Sequence, residues 1–187
     1  MTSLRLHKLP FDGLTIIERE VRGDERGSFE RFFCHDSLAQ LTRGKKIHQI
    51  NRSFTAKKGT VRGLHFQYPP SAENKIVTCV RGEIWDIAVD LRRHSKTFLR
   101  HHPVVLSAQI PRSYFIPEGF AHGFQTLTDD CEIIYVHTAN YDAENEGALN
   151  ALDPALAIKW PQAISTISKR DKSHALIADN FTGFEFE

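Results

Sequence analysis

At 187 residues, 41% hydrophobic and 25% charged, the chain has the composition of an ordinary globular protein with one sizeable core, or two small ones at most. A formal net charge of +1 supplies no field that would draw it to nucleic acid or to an acidic membrane surface. No apolar run approaches the ~18 residues of a membrane span, and the first residues lack the apolar core of a signal peptide. Cys34, Cys79 and Cys131 are widely spaced and odd in number, matching neither a disulfide framework nor a zinc motif. A reducing, cytoplasmic setting is therefore the default expectation.

Taken in order, Leu14, Ile16 and Ile17 sit among polar residues and predict an early strand. Gly23-Asp24-Glu25-Arg26-Gly27 reads as a turn, and the aromatic-rich Ser28–Cys34 as a strand or a strand entering a turn. Asp36 suits the N-cap of a short helix over Ser37–Thr42, closed by Gly44. Ile47–Ser53 predicts a strand, with His48 and Ile50 on one face and Gln49 and Asn51 on the other. Lys57-Lys58-Gly59 turns the chain into the next strand. From Lys75 the pattern is strongly β: Val77 and Cys79, then Ile84 to Leu91, with Trp85, Ile87, Val89 and Leu91 on one side. Arg81-Gly82 is expected to be a hairpin turn. Further strands are expected over 103–106 and Ser113–Ile116, and a turn at Pro117-Glu118-Gly119. Gly123–Leu127 and Cys131–Thr138 are expected to form another hairpin around Asp129-Asp130. After Asn140 the periodicity fades into loops and one or two short helices, with an aromatic-rich extension over Phe181–Phe186. Many short strands with regular turns predict an all-β barrel or double-sheet jelly roll.

Of the ten histidines, two sit in informative contexts. The first is Arg62-Gly63-Leu64-His65-Phe66-Gln67. In an extended strand Leu64 and Phe66 point away from His65 and anchor it, so that the imidazole faces a cavity with Arg62 close by. Desolvation and like charge both disfavour the imidazolium there, leaving a neutral base at pH 7. A core histidine bonded to backbone fits the same pattern. The second context is Pro117-Glu118-Gly119-Phe120-Ala121-His122-Gly123-Phe124, whose P-x-G-x-x-H arrangement resembles the second motif of the cupins, the double-stranded β-helix family. Metal-binding cupins add an H-x-H pair and a glutamate. Here that place reads His65-Phe66-Gln67, and two histidines without a carboxylate make a poor divalent site, so no metal is expected.

Gly23–Gly27, Arg62–Gln67, Lys75, Gly82–Asp90, Pro117–Phe124 and Tyr135–Tyr141 together, continued by Asp153-Pro154, Trp160-Pro161 and Asp171, resemble the dTDP-4-dehydrorhamnose 3,5-epimerases in colinear order. The resemblance implies one cupin-like domain over 1–187. Strands within 1–55 would contribute to a homodimer interface, and loops and short helices would fill 140–187. The substrate it implies is a dTDP-linked 4-keto-6-deoxy sugar, epimerised at carbons 3 and 5 without cofactor or metal. Protons on those carbons are acidified by the ketone, so the reaction needs a base, an acid on the opposite face and positive charge near the ketone oxygen. By the resemblance His65 is the base, Asp171 orients it, and Tyr135 is the opposite acid. Lys75, Arg62 and His122 would meet the sugar and its developing negative oxygen. Arg26, Gln49 and Asn51 would hold the nucleotide and diphosphate. Tyr141 and Phe29 would sandwich the thymine, Phe29 from a partner subunit, and Glu146 and Arg170 would also touch substrate.

Each of these residues has a plainer reading as well: Asp171 in a solvated charge run, Tyr135 as a barrel-wall tyrosine, Lys75 as a turn lysine. Two departures from the family pattern stand out. Arg31 occupies the place of an expected substrate-contacting glutamate, with Glu30 one residue early, and Val136-His137 replaces a lysine-containing pair. A 3- or 5-epimerase of a related sugar and a non-catalytic sugar-binding cupin are the competing functions.

Overall fold

The computed structural model describes residues 3–186. The strands in chain order are β1 (Leu4–Lys8), β2 (Thr15–Arg19), β3 (Val21–Asp24), β4 (Gly27–Glu30), β5 (Gln49–Thr55), β6 (Thr60–Gln67) and β7 (Lys75–Arg81). They continue with β8 (Glu83–Asp90), β9 (His101–Ser107), β10 (Arg112–Ile116), β11 (Phe120–Thr126), β12 (Cys131–His137), β13 (Glu146–Ala148) and β14 (Thr166–Ile167). Helix α1 spans His35–Thr42 and α2 spans Lys169–Ser173. One sheet has the order β1-β2-β10-β7-β12-β5 and the other β13-β6-β11-β8-β9, with β14 added parallel to β6. This is a double-stranded β-helix, the jelly roll of the cupins. No helix among the described residues is long and apolar enough to cross a membrane.

The expected early strand is a two-stranded hairpin, β1 against β2. The expected turn at 23–27 is mostly strand, since β3 and β4 pair around Glu25 and Arg26. Helix α1 begins earlier than expected, with Cys34 rather than Asp36 at its N-cap, and ends on Arg43 in the left-handed region. The two turns expected as hairpins are corners instead. β7 and β8 lie in different sheets, as do β11 and β12. Short-range periodicity marks where a strand ends, but it does not say whether the next strand pairs or crosses over. The two corners bind each other: Leu127 N–H donates to the Glu83 carbonyl at 2.8 Å, and Glu83 N–H donates to Thr128 Oγ1 at 3.0 Å. Gly82 is required there, because its φ is +75° and a Cβ would lie 2.6 Å from Thr128 Oγ1.

Val77, Ile84, Leu106, Tyr114, Phe124 and Ile133 fill the space between the sheets. The side of β8 carrying Ile87, Val89 and, beyond the strand end, Leu91 faces outward. There it is covered by the tail, through Leu149, Leu156, Trp160 and Phe184. Both faces of β8 are therefore buried, which accounts for its nearly continuous apolar run. The tail also carries Asp171 back to the open end of the barrel.

Candidate active site

Residues 62 and 65 would face opposite sides of a regular strand. A register shift changes this: His65 pairs with His122 of β11, while Arg62 pairs with Phe124. The three-against-two spacing brings Arg62 and His65 to one cavity, of about 510 Å³, which also takes Lys75, His122, Tyr135 and Asp171. Glycines make the crossing possible. Gly63 has φ +115°, and a Cβ on Gly123 would stand 2.7 Å from the Arg62 carbonyl oxygen. His65 enters from one sheet, and Lys75 and Tyr135 from the other, so the cavity lies between the sheets. Leu64 and Phe66 are buried on the far side, as the anchor reading requires.

His65 Nε2 donates to Asp171 Oδ1 at 2.9 Å. That bond fixes the proton on Nε2 and leaves the Nδ1 lone pair as the basic site of the neutral ring. Asp171 is itself fixed: it is 5% exposed, and its N–H donates to the Ser168 side chain that caps α2. Burial lowers the His65 pKa, the Asp171 carboxylate opposes this, and Lys75 and Arg170 lower it further, leaving it below the ordinary imidazole value. Arg62, expected to be the neighbouring cation, is not the one that acts. Its guanidinium donates to Thr55 Oγ1 at 3.0 Å and to the Phe54 carbonyl, and its charge acts on Tyr135 rather than on His65.

Tyr135 exchanges a hydrogen bond with Ser53 Oγ at 2.9 Å. Burial pushes its phenol well above the ordinary range, partly opposed by Ser53, so the hydroxyl keeps its proton at neutral pH and can give it up only to a strong base. Its ring lies 6.2 Å from His122 and 6.1 Å from His137. His122 Nε2 lies 3.0 and 2.9 Å from the two oxygens of Asp86, which is fully buried. Desolvation raises the Asp86 pKa, and His122 and Lys75 offset part of it.

Lys75 Nζ lies 3.1 Å from Glu73, whose other oxygen bonds His137 Nδ1 at 2.8 Å. Burial pushes Glu73 up, but the His137 and Lys75 contacts outweigh it and hold the carboxyl below its usual value. Lys75 thus reaches the cavity with Glu73 as its ion-pair partner. At the rim, Gln49 Oε1 accepts from Tyr141 N–H at 2.8 Å, the Tyr141 hydroxyl donates to Glu146 at 2.9 Å, and Glu146 pairs with Arg170. Asn51 and Arg170 line the cavity.

Two expected residues stand apart. Arg26 pairs with Asp24 in the β3–β4 turn, and Phe29 on β4 is 69% exposed, so neither reaches this cavity within the chain. Glu30 is committed to the buried Arg19 at 2.7 Å, and Arg31 lies just past the end of β4. Sequence reading also missed Ser53, Glu73, Asp86, His137 as a cavity residue, and His174. Asp86 did leave a signal, an acid inside the apolar run of β8. His174 left none. Its ring stands edge-on to His65 with centroids 6.5 Å apart, and its buried Nε2 has no hydrogen-bond partner.

The family described as dTDP-4-dehydrorhamnose 3,5-epimerase matches residues 8–179. The chain is 38% identical to the enzyme of that name from Salmonella typhimurium, across 91% of this chain and 93% of that protein. It is 36% identical to a dTDP-4-dehydrorhamnose 3-epimerase from Streptomyces niveus, across 94% and 85%. The crystal structure of a dTDP-6-deoxy-D-glucose-3,5-epimerase from Legionella pneumophila, in complex with dTDP-4-keto-L-rhamnose, superimposes with a TM-score of 0.90 at 34% identity, covering 99% of this chain and all of that one.

Proposed function

Because this chain belongs to the dTDP-4-dehydrorhamnose 3,5-epimerase family, we propose that it inverts carbons 3 and 5 of a dTDP-linked 4-keto-6-deoxy sugar through an enolate. The carrying observation is that His65, backed by Asp171, and Tyr135, backed by Ser53, reach one cavity from opposite sheets with Lys75 beside them. The Nδ1 lone pair of His65 takes the proton next to the ketone. The electrons move onto the ketone oxygen, where Lys75 and His122 stabilise the developing charge. Tyr135 then returns a proton from the other face. The ketone supplies the acidity, so the steps need no coenzyme. The imidazolium is paired with Asp171, which favours abstraction even though burial alone disfavours charge.

In this reading Arg62, Asn51 and Gln49 contact the sugar and diphosphate, Arg170 and Glu146 frame the entrance, and Tyr141 stacks on the base. Arg26 and Phe29 act on a second copy of the chain. The exposed Val21, Phe29, Phe32, Ile50 and Phe54, on or near β3, β4 and the edge strand β5, support a homodimer in which these hairpins are exchanged. Three free thiols support a reducing, cytoplasmic setting.

Incubation with dTDP-4-keto-6-deoxyglucose in deuterated water, followed by NMR, tests the reading. Deuterium at both carbons with inversion is expected. Exchange at one carbon would assign a single-site epimerase, like the Streptomyces relative. No exchange at saturating substrate would leave only a sugar-binding module.

A further inference from the structure

His174 is a histidine beside His65 that the proposed reaction does not use. It follows α2 directly, and its main chain is fixed by Asn150, whose side chain donates to the His174 carbonyl at 2.9 Å. Its side chain turns inward. Nε2 is buried, yet it neither donates to nor accepts from any protein atom. A buried polar atom with no partner is costly unless something else binds it. The groups next to it are His65 and Asp171. Ligand atoms from all three residues lie within 4.8 Å of one another, and the His65 and Asp171 members are already 2.9 Å apart. Two imidazoles and one carboxylate, held on β6 and the rim of α2, form a donor set that zinc and its neighbours in the transition series accept. Tetrahedral zinc with bonds of ~2.0–2.2 Å places its ligand atoms roughly 3.3 Å apart, so small side-chain rotations close the site.

We propose that His65, Asp171 and His174 form a binding site for a zinc-like transition-metal ion, and that its occupancy reversibly shuts the enzyme off. The consequence follows from the imidazole itself. A neutral ring has one lone pair available in its plane and one N–H. If the ion takes that lone pair, the ring's remaining hydrogen sits on the other nitrogen. Whichever nitrogen of His65 binds, no lone pair remains to accept the substrate proton. Binding through Nε2 also displaces the His65–Asp171 hydrogen bond. The site shares only His65 with the cupin motif positions, where Gln67 replaces the second histidine of H-x-H.

The inhibitory half rests on His65 being the base; the binding half does not. Two readouts keep them apart. The metal-free protein is titrated with Co²⁺ and followed by its visible d–d absorption, and turnover is measured with increasing Zn²⁺ and again after a chelator. In the wild type, intense four-coordinate cobalt bands and chelator-reversible loss of turnover are expected. His174→Ala, and His174→Phe, which keeps a ring in place, should retain metal-free turnover within about threefold. Both should weaken cobalt binding and zinc inhibition at least tenfold, a loss seen even when outer-shell partners of a metal are changed. Unchanged cobalt bands or unchanged zinc sensitivity in both variants overturns the site. Cobalt binding that depends on His174 without any inhibition keeps the site and removes His65 from the role of base.

Discussion

Replacing Asp171 with asparagine tests the centre of the mechanism with the smallest change in shape. The carboxylate accepts the Nε2 hydrogen of His65 at 2.9 Å and is buried. Losing a hydrogen bond to a charged group removes about 1.5–3 kcal/mol from the transition state that carries the imidazolium, or roughly 10- to 150-fold in rate. The asparagine amide can also donate to Nε2, which moves the ring hydrogen to Nδ1 and takes away the basic site. Holding the wrong tautomer raises the loss toward ~10⁴-fold in a comparable His–Asp pair. We therefore expect kcat to fall by about 10²–10⁴ with little change in KM, since Asp171 supports the base more than the ground-state substrate. The pH profile carries a second signature. Asp171 raises the His65 pKa against burial, Lys75 and Arg170. Without it the acidic limb of kcat/KM should move to lower pH even as the plateau drops. The assay is deuterium incorporation at carbons 3 and 5 across pH, with circular dichroism to confirm the fold. A loss below threefold, or a limb displaced to higher pH, would refute the pairing as the source of the base's strength.

Tyr135→Phe should cut net inversion by about 10²–10⁴-fold while His65 continues to exchange substrate protons with solvent, so NMR would show deuterium entering with retention. Inversion at the wild-type rate would remove Tyr135 as the acid. Gly123→Ala should cost about 1–3 kcal/mol in denaturant unfolding, because the new methyl meets the Arg62 carbonyl oxygen at 2.7 Å and the strands must part. Neutral behaviour there would mean that the bulge is not sterically set. Glu73 has a folded-state pKa below its unfolded value, near 4.5, so the stability it provides is present above that value and is lost as pH falls through the folded pKa. Thermal melts from about pH 5 down to about pH 3 should thus fall more steeply for the wild type than for Glu73→Gln. The two curves running parallel would contradict the assignment.

Local sequence determined a good deal of this protein. Strand positions, the outward anchors Leu64 and Phe66, the alternation along β8 and the turn glycines follow from periodicity and from backbone freedom, which are properties of neighbours in the chain. The ordered motifs added His65, Tyr135 and Asp171 as a set, although nothing near Asp171 distinguishes it from an exposed charge run. Tertiary structure decided what no local pattern carries. It turned two expected hairpins into corners between sheets, and a bulge placed Arg62 on the His65 side while hydrogen bonds aimed its charge elsewhere. It also paired His122 with Asp86, Lys75 with Glu73, and brought His174 beside His65. These choices depend on contacts between residues tens of positions apart. A strand's own sequence fixes which way its side chains alternate, but only the packing of distant segments fixes what each side chain meets.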